Sequence, residues 1–265
     1  MRLPGLPTGL LVPLGRRLPP NVRRLANLAR GIDSPALLDR PPARRIAVLA
    51  PHPDDELLGC GGTLPKHLAA GEAVSIIFMT SGERTASFAG RAMAERIAQR
   101  ESEARTACAA AGLADASQVF LRLADGGVDA SGRSALVAAL VASEADLVYA
   151  PNPVDAHRDH VATTALLASA LAAVPTVTHV ALYEVWTPLY PNCLVDVTAT
   201  MGTKLAGLGC YASALAVVDY RHTAEGLAAY RSGQGLHGAG YAEAFCVLTR
   251  AAFAEVVERG GGSTR

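Results

Sequence analysis

His52, Asp54 and Asp55 crowd into one heptapeptide, Ala50-Pro51-His52-Pro53-Asp54-Asp55-Glu56, and a second knot of imidazole and carboxylate, His157-Arg158-Asp159-His160, follows in the later half of the chain. These side-chain types hold metals and move protons. A catalytic zinc takes three protein ligands from His and Asp/Glu and keeps one position open for water, whose pKa falls to roughly 7. His52 and Asp55, three apart across a turn, can supply two such ligands, and one histidine of the second knot the third; spacing leaves open which one. Asp54, beside a ligand but pointing differently, is suited to take a proton from that water. The remaining histidine can polarise a carbonyl or protonate a leaving amine, with Asp159 fixing its tautomer. Taken alone, the first motif reads better as a solvated turn followed by a helix, with Asp54 and Asp55 capping its N-terminus. The second motif weighs against that simpler reading.

Both motifs sit where a strand ends. Ile46-Ala47-Val48-Leu49 is a short apolar run closed by Pro51 and Pro53, and Asp146-Leu147-Val148-Tyr149-Ala150 is closed by Pro151 and Pro153. Proline continues neither a ladder nor a helix, so each run stops at its motif. In open α/β sheets the carboxyl ends of the strands converge on a ligand crevice. The pattern elsewhere alternates in the same way. Gly59-Cys60-Gly61-Gly62-Thr63 opens a helix to about Ala70, 73–80 is a strand, and the loop from Ser81 to Gly90 belongs to a pocket. A helix over 92–111 ends at Gly112, and a strand at 119–121 precedes the turn Asp125-Gly126-Gly127. Helices are predicted at 131–143, 161–172 (opened by His160) and 201–210, and strands at 178–185, 194–197 and 245–248. The fold class is therefore α/β, a mostly parallel sheet flanked by helices, with the site at the C-terminal edge of its strands. Trp186, with Pro188 and Tyr190, offers an apolar wall for a sugar ring or acyl chain, or else a core tryptophan.

Pro-His-Pro-Asp-Asp-Glu before a Gly-rich helix start, with a later His-Arg-Asp-His, resembles the LmbE/PIG-L family of zinc-dependent N-acetylglucosamine deacetylases and related amide hydrolases, over the span 46–245. The resemblance implies a Rossmann-like three-layer fold that hydrolyses the acetamide of an amino sugar. It implies zinc on His52, Asp55 and His160, Asp54 as general base, His157 as oxyanion stabiliser or acid, and Asp159 as its orienting partner. Arg100 takes the place of a family arginine that resembles a substrate contact, or else forms an ordinary surface pair with Glu103; Asp125 reads first as an Asp-Gly turn residue and second as a contact to a sugar hydroxyl. Two departures bear on recognition: Arg158 stands where the family has proline, and Ser213-Ala214 where relatives often have serine and glutamine. Related readings are an amidase for another N-acyl group or a thiol-sugar conjugate. A Rossmann-like nucleotide-binding module using the glycine loop is a weaker one, because the glycine spacing fits neither dinucleotide nor P-loop patterns.

The 265 residues are half apolar and 18% charged, the composition of a globular chain, with 24 basic against 24 acidic groups. That balance supplies no field to draw nucleic acid and points to a small or neutral substrate; the resemblance implies a small-molecule N-acyl amino sugar or glycoconjugate as partner. The arginine-rich, GC-type composition agrees with a bacterial secondary-metabolite or glycoconjugate pathway. Five scattered cysteines without paired spacing fit a reducing cytoplasm, and Cys60 between two glycines reads as a small buried side chain. No apolar run is long enough for an integral membrane segment. A homo-oligomer is compatible with the resemblance. The expected organisation is an arginine- and proline-rich arm over 1–45 with a short helix at 21–32, one catalytic domain over 46–258, and a flexible tail over 259–265.

Overall fold

The computed structural model describes residues 34–260, so the helix expected at 21–32, the rest of the arm before Ser34 and the tail beyond Gly260 lie outside the described residues. In chain order the strands are β1 (Ala36–Leu38), β2 (Arg45–Ala50), β3 (Ala73–Thr80), β4 (Ser117–Leu123), β5 (Leu147–Pro151), β6 (His179–Tyr183), β7 (Cys193–Asp196) and β8 (Ala242–Thr249). The α-helices are α1 (Asp55–Cys60), α2 (Leu64–Ala69), α3 (Met93–Ala110), α4 (Arg133–Ser143), α5 (Arg158–Ala170), α6 (Met201–Leu208), α7 (Ala212–Leu215), α8 (Tyr220–Gly235) and α9 (Arg250–Gly260). The strands form one sheet in the order β1-β7-β8-β6-β5-β2-β3-β4. Only β8 runs against its neighbours; every other pairing is parallel.

Both faces of the sheet are covered, which is why its central strands read as continuous apolar runs. Along β2 successive side chains alternate between two cores. Ile46, Val48 and Ala50 join one with Tyr149, Tyr183 and Phe245; Ala47 and Leu49 join the other with Leu140, Leu167 and Phe253. This is the expected three-layer arrangement with a mostly parallel sheet. The chain runs from β2 outward through β3 to β4, then returns to lay β5 on the other side of β2. Strand order thus reverses between β2 and β5, and the crevice opens above that junction.

The structure corrects several expected boundaries. The first helix begins at Asp55 rather than at the glycines, of which Gly61 and Gly62 instead separate α1 from α2. Gly59 lies inside α1, where an added Cβ would come within 2.2 Å of the Tyr183 ring, so the helix can pack this close to β6 only with glycine there. The loop after β3 is organised by a 3₁₀ turn at Ala86–Phe88 with Phe88 buried. The stretch assigned to an arm contributes an edge strand, β1, paired with β7. A three-residue strand with Pro35 before it and Arg40 after carries too little alternation to be read from sequence.

The glycine loop holds one of the chain's own carboxylates. Glu243 accepts hydrogen bonds from the Gly62 and Thr63 amides (2.8 and 2.9 Å) and from the Thr63 hydroxyl (2.6 Å), and its other partner is the Lys204 ammonium at 2.7 Å. Lys204 also donates to the Leu58 carbonyl, so the pair clamps α1, α2, α6 and β8 together. Truncating Glu243 to Ala should destabilise the chain by about 3–5 kcal/mol, because it strands the buried Lys204 charge. A loss below about 1 kcal/mol in urea unfolding would contradict this assignment.

Candidate active site

The two motifs meet at the β2–β5 junction. Asp55, first residue of α1, places Oδ2 2.9 Å from the His52 amide, 3.2 Å from His52 Nδ1 and 3.2 Å from His160 Nε2. His160 lies in the first turn of α5, which begins at Arg158 with His157 as its N-cap rather than at Val161. Both ring nitrogens of His160 are fully buried. Neither makes a hydrogen bond of acceptable geometry, although Asp155 Oδ2 also lies within 3.5 Å of Nδ1. Ligands about 2.0–2.2 Å from a tetrahedral zinc stand roughly 3.3 Å apart, and Asp55 Oδ2 stands near that spacing from one nitrogen of each imidazole; among the described residues His52, His157 and His160, and His52, Asp125 and Asp159, also form groups close enough to hold an ion. The unsatisfied His160 ring and the mixed His/Asp donor chemistry fit a zinc-like cation on His52, Asp55 and His160.

Charge points the same way. Asp54, Asp55, Asp125, Asp155 and Asp159 converge here, and Arg100 is the guanidinium buried among them. Burial by itself would lower the His160 pKa, but Asp55 and Asp155 raise it to about 9. Burial likewise works to raise Asp55, yet the two histidines hold its carboxyl well below the usual range.

Asp54 does not cap the helix. Its main-chain carbonyl takes the Leu57 and Leu58 amides, while its carboxylate makes no capping bond and lies 3.0 Å from Arg100. The residue has φ of 127°, a conformation an L side chain adopts at a cost of order 1–3 kcal/mol. Glu56 holds it there by accepting the Asp54 amide at 3.0 Å, and Glu56 in turn accepts from the Tyr211 hydroxyl. Burial pushes Asp54 up to about 6, against the pull of Arg100, and pushes Glu56 up to about 8. A carboxyl poised near neutrality beside a ligand set is suited to proton transfer.

Arg100, expected to touch substrate, is 1% exposed. It donates to the Pro53 carbonyl, Asp54 and Ser213, stacks over Tyr211, and fixes the Asp54 carboxylate from behind while forming part of the pocket floor. The pairing expected between Asp159 and the second histidine is also different. The Asp159 carboxylate turns to His52 Nε2 (3.2 Å) and the Gly126 amide (2.6 Å), while the main-chain N–H of Asp159 donates to His157 Nδ1 at 3.2 Å. That bond makes Nδ1 an acceptor, so neutral His157 carries its proton on Nε2. The rings of His157 and His160 lie 5.2 Å apart, and burial lowers the His157 pKa, which favours this neutral donor form. Asp159 thus orients His52, and its own carboxyl is held at about 2, its burial being outweighed by His52 and the Gly126 amide.

Asp125 lies 3.6 Å from His52 Nε2 and accepts the Arg84 amide. Trp186 is 45% exposed on the pocket rim, packed edge-on against Tyr220, and is not a core tryptophan. Val217 and Tyr220, rather than Pro188 and Tyr190, continue the apolar wall of a cavity of about 430 Å³. Cys60 is buried with its thiol pushed well above the ordinary range, and packs as core. Asp155 escaped the sequence reading. It joins the His157 amide (2.9 Å), the Trp186 amide (3.1 Å) and His160, and its one signal was an Asp two residues before a helix cap.

A strand-order reversal, a buried His/Asp cluster and a carboxyl pushed up to about 6 come together in one α/β crevice, a donor set of the kind that can hold a metal. Residues 47–171 match the family described as PIG-L: GlcNAc-PI de-N-acetylase. Over those residues the chain is similar to a family of N-deacetylase hydrolases. A comparison with curated proteins finds no match. Among solved structures, the conserved protein TT1542 from Thermus thermophilus is 28% identical over 76% of this chain and 93% of its own, with a TM-score of 0.65. N,N'-diacetylchitobiose deacetylase from Pyrococcus horikoshii is 21% identical over 95% and 96%, with a TM-score of 0.68. GalB, the 4-carboxy-2-hydroxymuconate hydratase from Pseudomonas putida, is 20% identical over 77% and 96%, with a TM-score of 0.64, so the fold also carries other chemistry. No helix among the described residues is long and apolar enough to cross a membrane.

The geometry predicts that His160→Ala abolishes stoichiometric zinc binding, and that Asp159→Asn, which loosens His52, weakens it by about 10–100-fold. Zinc titration monitored by calorimetry checks both; unchanged affinity in His160→Ala would refute the ligand set.

Proposed function

We propose that the protein is a zinc-dependent deacetylase of N-acetylated amino sugars, with His52, Asp55 and His160 as the metal ligands. The observation that carries this reading is the buried His160 ring, unsatisfied at both nitrogens and facing Asp55 beside His52. Zinc, when bound, acts as a Lewis acid toward the amide carbonyl and lowers the pKa of water to roughly 7.

The chain's own groups supply the rest. Asp54, held by Arg100 and Glu56, accepts the proton that the attacking water gives up and returns it to the departing amine. His157 donates its Nε2 proton in a hydrogen bond to the oxyanion that forms on the acetamide oxygen. The helix α5 N-terminus beneath it adds positive potential to the same place. Water and amide become acetate and the protonated amine, which carries off both protons of the water. Asp125 and Trp186 are the proposed sugar contacts, one for a hydroxyl and one for the apolar ring face. A setting in bacterial glycoconjugate or secondary-metabolite synthesis belongs to the same proposal, as does one catalytic domain over 46–258.

The nucleotide-binding alternative loses its support, since Glu243 occupies the amides that a phosphate would need. Cleavage of a different acyl group uses the same machinery and is separated by substrate. We expect Asp54→Asn to lower acetate release from an N-acetylated amino sugar by about 10²–10⁴-fold with zinc content unchanged. Acetate release at the parent rate in that variant would remove Asp54 from the mechanism.

A further inference from the structure

Asp155 takes no part in the proposed chemistry, yet it stands between three groups that do. Its side chain is wholly buried, as is that of His160. Oδ1 accepts the main-chain N–H of His157 at 2.9 Å. Oδ2 accepts the main-chain N–H of Trp186 at 3.1 Å and lies 3.5 Å from His160 Nδ1. One carboxylate therefore touches the residue assigned to the oxyanion, a proposed metal ligand and the rim of the cavity.

The contact with Trp186 belongs to a seam between two loops. Asn152 shapes the turn after β5: its Oδ1 accepts the Val154 amide at 3.1 Å and its carbonyl the Asp155 amide at 3.0 Å. Its Nδ2 then donates to the Thr187 carbonyl at 3.1 Å, one residue beyond the amide that Asp155 takes. Two residues further, Leu189 is held by Glu184 and Arg231. The main chain at Trp186 and Thr187 is thus stapled to the turn that leads into His157 and α5. The Trp186 ring itself is half exposed and meets Tyr220 edge-on. Its place on the rim is set from beneath, by the residues that carry the proposed ligand His160.

A metal-bound histidine donates its other ring N–H to a carboxylate or carbonyl, which fixes its tautomer and orientation. His160 Nε2 faces Asp55 at 3.2 Å, so Nδ1 is the nitrogen left to donate, and Asp155 Oδ2 is the oxygen beside it. At 3.5 Å, and without hydrogen-bond alignment, that contact stops short of a bond. The oxygen that would close it already holds the Trp186 amide.

We propose that Asp155 is a positioning residue that couples metal occupancy at His160 to the Trp186 rim. Its Oδ2 accepts the Nδ1–H of a metal-bound His160 while keeping the Trp186 amide, so the wall that receives the sugar is set only in the metal-loaded chain. This rests on the reading of His160 as a zinc ligand; the coupling is read at the tryptophan and needs no turnover.

Trp186 is the chain's single tryptophan, so its fluorescence reports this place alone. Zinc is closed-shell and redox-inert, so a response reports movement of the rim. The test is zinc titration of the metal-stripped chain, followed in parallel by calorimetry and by acrylamide quenching of Trp186, in the parent and in Asp155→Asn. Asparagine keeps the shape but offers one acceptor oxygen where Asp155 offers two. We expect saturating zinc to lower the parent's quenching constant at least about twofold, and Asp155→Asn to bind zinc about 10–100-fold more weakly and, once saturated, to show no change at Trp186. Zinc bound at saturation by the parent with no change at Trp186 overturns the coupling and leaves the ligand set standing, as does a full Trp186 response in the saturated variant. No zinc binding by the parent overturns the ligand set, and the coupling with it. If a thermal transition shows that the variant does not fold, hydrogen exchange in the parent decides: at least about tenfold slower exchange at the Trp186 amide with zinc supports the coupling, and equal exchange with and without zinc overturns it.

Discussion

The parallel pairing of β2 with β5, Ile46 to Leu147 and Val48 to Tyr149, is the constraint from which the site follows. Two strands far apart in sequence end side by side, and each hands the chain to a proline-broken turn that leads straight into a helix. His52 and Asp55 follow one strand, His157 and His160 the other, so main-chain geometry brings the proposed ligands together before any side chain chooses a rotamer. Two buried cores fix the junction from both faces. Displacing either strand by one residue would send its whole apolar set to the wrong layer.

Around that junction the structure concentrates negative charge and then spends its few buried cations on position. Arg100 aligns Asp54, Lys204 and Glu243 close the glycine turns, and Arg231 pairs with Glu184 and caps the Leu189 carbonyl, which steadies the segment carrying Trp186. None of these pairs is solvated, and each would be costly if one partner were lost. What they leave uncompensated are the carboxylates facing His52 and His160. A divalent cation held there, as proposed, would satisfy the charge and the unpaired His160 ring together.

The sequence made the site legible because its chemistry is dense: His and Asp repeat at two strand ends that proline terminates, and spacing alone brings them to one crevice. The sheet was legible for the same reason, since buried parallel strands are continuous apolar runs. Other features depend on contacts that no local pattern encodes. The Asp54 conformation needs Glu56 and Tyr211, the latter far along the chain. Arg100 at helical spacing from Glu103 looks like a surface pair, and only the packing of α7 against it makes it a buried clamp. Asp159 was expected to orient His157; the Gly126 amide draws its carboxylate to His52 instead. Each of these is a long-range hydrogen bond, set by tertiary structure and invisible to periodicity.

The most direct test of the account is elemental analysis of the chain purified without added metal, paired with acetate release from N-acetylated amino sugars. The account predicts a single tightly held zinc ion per chain and acetate release that disappears when the metal is stripped and returns when zinc is restored. A chain that takes up no divalent metal after reconstitution, or that releases acetate at the same rate without one, would contradict it.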